Sequence, residues 1–421
     1  MPNELRAGLP QGRFAELAAE ASARCDALAR CSEDAQRIHR TFCSSAMREA
    51  HARVSDWMTA AGMTTRVDAA ANLIGRFAPP GCDTTRRLVI GSHLDTVIDA
   101  GRYDGILGVV LGLAAVAALR ESSARLPWAL EVYAFSDEEG VRYNVPFLGS
   151  RALAGSFDPA LLRLCDSGGV SMAQALRDFG VDPLQMASCA VAGEIIAYLE
   201  AHIEQGPLLE VLGVPLGVVT AIAGQTRLKI EWTGQGGHAG TVPMAGRGDA
   251  LTVACRWSLA VERLALETPG MVGTVGRLEV EPNVPNCIPR RVRASLDLRH
   301  HEDAVRTTVA EQLVELAERL GRDSRLAVRV EYDHQHAAVA MDAALGDRLA
   351  ESISAAGYAP QRLVSGAGHD AGVMAGVAPA AMLFLRSPGG VSHHPDEAVT
   401  VDDVAAALRV MVEFVLRCAG A

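Results

Sequence analysis

Apolar residues recur at helical spacing through residues 14–62 with few breakers, which predicts a helical N-terminal region. Short apolar runs then alternate with helical stretches. Residues 87–91, RLVIG, read as a buried strand, 105–119 as a helix apolar on every side, and 128–135 as a second strand. Strand–helix–strand alternation predicts an α/β fold with a central, mostly parallel sheet and helices on both faces. The texture changes near Gly224. Residues 225–232, QTRLKIEW, alternate polar and apolar as a half-buried strand does. After a glycine-rich turn comes a helix with Leu251, Ala254, Cys255 and Leu259 on one face. Alternating runs follow at 276–281 and 291–298, then a helix over 302–321 and a strand over 327–332. Strand, helix, strand, strand, helix, strand is the split βαβ, ferredoxin-like order. The expected organisation is therefore an α/β domain made of residues 1–223 and 336–421, with a smaller α+β domain, 224–335, inserted in it. A last helix starts after Thr400, which can cap it, with Asp403 three residues on.

Composition narrows the function. Hydrophobic residues make up 49% of the 421 positions, enough for a sizeable core. Fifty acidic against 39 basic residues give a formal charge of −11, which argues against a nucleic-acid or anionic-membrane binder. The apolar run at 106–119 is too short to span a bilayer. Residues 1–14 lack the charged-then-apolar pattern of a secretory leader. Nine cysteines, an odd number with no CxxC pair, read as reduced thiols of a cytoplasmic protein rather than disulfides or a thiolate zinc site.

Five segments could carry chemistry. In 91–97, GSHLDTV, His93 follows a strand, where open α/β sheets gather their ligand sites, and Asp95 can hold its ring. In GRYDG, 101–105, Asp104 lies between glycines; by itself it is as suited to a turn or helix cap. In SDEEG, 136–140, adjacent acids at a strand end need positive charge nearby, and Glu138 and Glu139 can divide the work, one binding a metal and the other accepting a proton. In EAHIEQG, 200–206, alternation puts His202, Glu204 and Gly206 on one side. In GGVSHHPDE, 389–397, either His393 or His394 suits a ligand position. Each segment alone has an ordinary structural reading. Together they supply nitrogen and oxygen donors without thiolates, suited to Zn²⁺, Mn²⁺, Co²⁺ or Ni²⁺, and too many for one tetrahedral ion. They fit two ions sharing a carboxylate.

The ordered motifs GSHLDTV, GRYDG, DEEG, AHIEQGP, GHAGTVPM, NCIP…DLR, SGAGHDA and GVSHHPDE resemble the hydantoinase/carbamoylase branch of the dinuclear-metal aminopeptidase and aminoacylase superfamily, from about residue 30 onward. The resemblance implies two divalent ions, one on His93 and His202, the other on Glu139 and His393, with Asp104 between. It selects His393 over His394 because the family ligand directly follows the serine. It further implies Glu138 as general base, His238 as oxyanion donor, Asn286 and Arg299 as holders of the substrate carboxylate, and Gln205, Gln225 and Gly368 as pocket lining. The implied reaction is hydrolysis of a ureido C–N bond in a small ureido carboxylate, allantoate first and an N-carbamoyl-L-amino acid as the alternative. The inserted domain would serve as lid and as the interface of a homodimer, with hinges near 223–224 and 334–338. Two positions depart from the family pattern: Tyr143 where phenylalanine is frequent, and Cys287 where valine is commoner. The rivals are a non-catalytic binding protein on the same fold, which would be expected to lose Glu138 or some ligands, and a dinuclear peptidase, against which EQG and the NCIP…DLR pair speak.

Overall fold

The computed structural model describes residues 8–122 and 125–420; the start of the segment read for a leader, 1–7, lies outside them. The chain forms two compact units, one of residues 1–220 and 341–421 and one of residues 221–340.

In the first unit the strands are β1 (Thr64–Val67), β2 (Leu73–Phe77), β3 (Asp83–His93), β4 (Trp128–Phe135), β5 (Glu194–Ile203) and β6 (Leu216–Ile222). The second unit contributes β7 (Gly224–Thr233), β8 (Gly237–His238), β9 (Val272–Thr274), β10 (Leu278–Glu281), β11 (Cys287–Ile288), β12 (Arg291–His300), β13 (Ala327–His336) and β14 (Val339–Ala340). The chain returns to the first with β15 (Gln361–Ser365) and β16 (Ala380–Leu385).

The large sheet runs β1-β2-β4-β3-β5-β16-β6-β14, with β15 also paired to β6. Its centre, β4-β3-β5-β16, is parallel. β1, β2 and β6 are antiparallel to their neighbours. The sheet is thus mixed rather than mostly parallel: periodicity reports burial, not strand direction, and the buried central strands carry the parallel pairing. Ile90 faces the helix α1 (Ile106–Glu121), where Gly112 leaves room for it; Gly91 faces Phe135 and Tyr198 on the opposite side. The helix Asp370–Met374 packs on that second side, where the Ala371 N–H donates to Glu200 (2.7 Å). Residues 106–119 of α1 are almost all buried, as an all-round apolar helix must be. No helix among the described residues is long and apolar enough to cross a membrane.

The second unit is a five-stranded antiparallel sheet in the order β10-β12-β7-β13, with β9 on β12, and the helices Ala250–Glu267 and Asp303–Asp323 pack on it. Trp232 and Trp257 meet edge to face (5.5 Å) in its core. At its two chain crossings, Val339 and Ala340 pair antiparallel with Ile222 and Ala221.

Two further expectations change. Residues 14–62 form two helices, Gln11–Ala29 and Ser45–Ala60, separated by an irregular segment. There Ser32 and Asp34 bond nearby main-chain N–H groups, which competes with helix formation, and Ser44 caps the second helix at Met47 N. In Ala250–Glu267 the buried face is Ala250, Val253, Ala254, Trp257 and Val261, while Cys255 is exposed and Leu259 is 66% exposed. The large Trp257 sets the face. At the last helix, Thr400 accepts from Asp403 N (3.1 Å), and the Asp403 carboxylate takes Arg386 through two hydrogen bonds.

The loop after β4 hangs on Asn72, which is fully buried. Its Oδ1 accepts Ser136 N (3.0 Å), and its Nδ2 donates to Asp68 (2.9 Å) and to Gly149 O (3.1 Å). Asn72→Ala strands these partners away from water and is expected to cost about 2–4 kcal/mol of stability. Chemical denaturation read by circular dichroism checks this; a loss below about 0.5 kcal/mol would show that Asn72 does not hold the loop.

Candidate metal centre

His93 closes β3, and His202 stands one residue before the end of β5. The Nδ1 of His93 lies 3.0 Å from the main-chain oxygen of Asp95, and that of His202 lies 2.9 Å from the main-chain oxygen of Ile203. A carbonyl can only accept, so both rings carry their hydrogen on Nδ1 and present the Nε2 lone pair. The Asp95 carboxylate lies 3.6 Å from His93 Nδ1 and also accepts Glu138 N (3.1 Å) and Glu139 N (3.0 Å), which fixes the turn that follows β4.

Asp104 sits just ahead of α1 and is 3% exposed. Its Oδ1 is 3.1 Å from His202 Nε2, and its Oδ2 is 3.1 Å from His393 Nε2, which is also 3.4 Å from Glu139 Oε1. His393 adopts a left-handed φ of +53°. His394 turns instead toward Asp396, whose N–H its Nδ1 accepts (3.2 Å). Gly105 has a φ of +72°, and a Cβ there would lie 2.3 Å from His93 Nε2, so only glycine fits.

Among the described residues, three triplets have donor atoms within 4.8 Å of one another: His93, Asp104 and His202; His93, Glu138 and Glu139; Asp104, Glu139 and His393. Asp104 belongs to two of them. The buried Nε2 of His202 has no hydrogen-bond partner of sound geometry although Asp104 is 3.1 Å away. A lone pair facing a carboxylate is an arrangement of two acceptors, and it is relieved by a cation between them. The donor set therefore fits a divalent metal.

The electrostatics agree. The carboxylates favour positive charge on the imidazoles. His393 is raised to about 10 by its contacts with Asp104 and Glu139. Burial opposes charge on His93, but Asp95, Glu138 and Asp104 outweigh it and hold the ring well above the usual range. Burial pushes Asp104 up, and His202 and His393 pull it well below. Glu138, 7% exposed, is pushed well above the ordinary carboxylate range by burial, against the opposing pull of His93.

Gln205, with a left-handed φ of +60°, donates from Nε2 toward Asp104 (3.2 Å) and Ser392 Oγ (3.1 Å). Gly368 approaches Phe147, whose ring a Cβ there would meet at 2.9 Å. The remaining expected residues belong to the second unit. His238 pairs with Cys287 across β8 and β11, beside Asn286. Its Nδ1 accepts Gly240 N–H (3.1 Å), which leaves the hydrogen on Nε2. Gln225 and Arg299 are cross-strand partners on β7 and β12, and both bond Asp297.

Four supporting residues escaped the sequence reading. Arg40, fully buried, donates to the main-chain oxygens of Leu94, Leu28 and Cys31. His369 meets His202 edge to face (4.4 Å) and bonds Ser365 Oγ (2.9 Å). Ser392 and Glu397 bond each other (3.2 Å) behind Asp104. Glu397 was visible inside GVSHHPDE, without a sign of what it would touch.

Residues 89–417 match the Peptidase family M20/M25/M40. The chain is 38% identical to an allantoate deiminase of Arabidopsis thaliana, over 94% of this chain and 81% of that protein. It is also 38% identical to an N-carbamoyl-L-amino acid amidohydrolase of Geobacillus stearothermophilus, over 88% and 91%. The crystal structure of a hydantoinase/carbamoylase family amidase from Burkholderia multivorans superposes with a TM-score of 0.90 at 32% identity, covering 96% of this chain and 98% of that one. The chain is accordingly a hydrolase of the M20/M25/M40 peptidase family, in its hydantoinase/carbamoylase branch.

Proposed function

We propose that the protein hydrolyses the ureido C–N bond of allantoate, with two divalent ions held by His93 and His202, by Glu139 and His393, and by Asp104 in common. The observation that carries the reading is the place of Asp104 in two donor triplets, with the Glu138 carboxyl buried in a third beside them. Zn²⁺ or Mn²⁺ suits these donors, as do Co²⁺ and Ni²⁺. Bound there, the ions would lower the pKa of water and polarise the ureido oxygen.

The chain's own groups do the rest. Glu138 takes the proton of the attacking water and returns it to the departing nitrogen. Its burial favours the neutral acid between those two transfers. The bond from the ureido carbon to that nitrogen breaks, and the carbamate released decomposes to carbon dioxide and ammonia. His238, with its hydrogen on Nε2, donates to the developing oxyanion. Asn286 and Arg299 hold the substrate carboxylate, the arginine through charge-assisted hydrogen bonds. Gln205, Gln225 and Gly368 line the pocket.

Allantoate is favoured by the identity to the Arabidopsis deiminase and by the segments DEEGVRY, 137–143, and FLGSRALAG, 147–155. An equal identity to the Geobacillus enzyme favours a second reading, an N-carbamoyl-L-amino acid. We also propose a homodimer formed through the second unit, which would double as a lid. Leu259 (66% exposed) and Leu266 (82%) on the helix Ala250–Glu267 support this, being apolar positions open to a second copy.

After Mn²⁺ reconstitution, ammonia release from allantoate should exceed that from N-carbamoyl-L-methionine by about tenfold in kcat/KM, the scale that pocket contacts give. The reverse order selects the second reading, and cleavage of a dipeptide alone would overturn both. Glu138→Gln should bind two equivalents of Mn²⁺ as the parent does, while kcat falls about 10²–10⁴-fold. Near-parental turnover would remove the proton-transfer role. Arg299→Ala should raise KM for carboxylate substrates about 10-fold or more, with kcat the smaller change; an unchanged KM contradicts the clamp. Leu259→Asp should shift the mass seen by light scattering from dimer to monomer; a parent already monomeric ends the dimer proposal.

A further inference from the structure

Glu397 lies outside the donor set, yet it touches both segments that carry the ligands at Asp104. We propose that Glu397 is a positioning residue, a buried strut that fixes the segment of Asp104 against the segment of His393. The inference rests on the reading of those two residues as metal ligands.

The contacts are specific. Glu397 Oε1 accepts two consecutive main-chain N–H groups, Tyr103 (2.9 Å) and Asp104 itself (3.0 Å), across a sequence separation of 293 for the latter. Its Oε2 stands 3.2 Å from Ser392 Oγ. Ser392 Oγ accepts Gln205 Nε2 (3.1 Å) and is 3.4 Å from Asp104 Oδ2. A hydroxyl has one hydrogen, and the nearer carboxylate, Glu397, is the better acceptor for it. One side chain thus holds the backbone of one ligand and the neighbour of the other.

Two further observations show that this approach is built in. A Cβ at Gly101 would fall 2.3 Å from Glu397 Oε1, so the 101–105 turn admits the carboxylate only because residue 101 is glycine. His393 holds a left-handed φ of +53°, which a residue with a Cβ does not prefer. The loop is therefore held by ties from outside itself, and the Tyr103 and Asp104 N–H groups on Glu397 are two. Glu397 is also closed into its own turn, through Glu397 N to His394 O (3.1 Å), so the strut is short and stiff. Partners of this kind orient metal ligands, and their loss typically weakens metal binding or activity by about 10–100-fold.

The bland alternative is a cap on the 101–105 turn that affects stability alone. The test is a Mn²⁺ titration against a chelating indicator, run on the full-length parent, Glu397→Ala, Glu397→Gln and Ser392→Ala, with ureido-substrate kinetics and metal-free melting in parallel. Glu397→Ala is expected to weaken binding of at least one Mn²⁺ by about 10–100-fold. Its kcat should fall at fixed Mn²⁺ and recover in part with excess Mn²⁺, while KM stays within about twofold because the carboxylate clamp is untouched. Glu397→Gln keeps an oxygen for both N–H groups and should fall between parent and alanine. Ser392→Ala should weaken Mn²⁺ in the same direction by less. Parental Mn²⁺ affinity in Glu397→Ala, even with a lowered melting temperature, overturns the inference. If that variant does not fold, parental affinity in both of the others does so. A parent that binds no Mn²⁺ would instead refute the ligand reading, and the strut would fall with it.

Discussion

A carboxylate withdrawn from water must be met by hydrogen-bond donors or positive charge, and Asp104 faces that requirement at the centre of the donor set. Its two oxygens face two imidazole nitrogens. At His202 the only ring hydrogen is already committed to a main-chain oxygen, so a lone pair is what points inward. Acceptors brought together in this way repel unless something positive enters. The protein does not remove the conflict by substitution; it braces each participant so that the conflict stays localised. Asp95 braces Glu138 and Glu139, Glu397 braces Asp104, and main-chain carbonyls brace His93 and His202.

The bracing follows from topology. β3, β4 and β5 run parallel, so their C-terminal ends lie together, and His93, the Glu138–Glu139 turn and His202 are all found there. The loop after β16, parallel to β5, brings His393 to the same end. Donors far apart in sequence meet because each leaves the sheet at one edge, the place where open α/β sheets collect their ligands. Antiparallel flanking strands extend the sheet without adding a donor to any of the three triplets.

Much of this is legible in the sequence. Strand ends followed by histidine or acid, and glycine next to Asp104, are local signals, and each has its physical reason in the structure. What stayed hidden is long-range. The sequence around Arg40 reads only as part of a helical region, yet its guanidinium is buried among three carbonyls. Asn72 and Glu397 are ordinary residue types whose importance lies in partners 64 and 293 positions away. The antiparallel flanks and the true inner face of Ala250–Glu267 were missed for a related reason. Periodicity distinguishes buried from exposed, but it neither sets strand direction nor ranks a tryptophan over a cysteine as the residue that must be covered.

The second unit enters and leaves on strands hydrogen-bonded to each other, Val339 and Ala340 against Ile222 and Ala221. Its two ends are therefore neighbours, and the loop it makes in the outer chain is already closed by its own pairing. Excising it would leave a gap that a turn of a few residues can bridge, and grafting it elsewhere would ask little of the host. Such a segment is a natural unit to exchange between scaffolds, at the cost of β14 and the last two residues of β6, both at the margin of the sheet that carries His93 and His202.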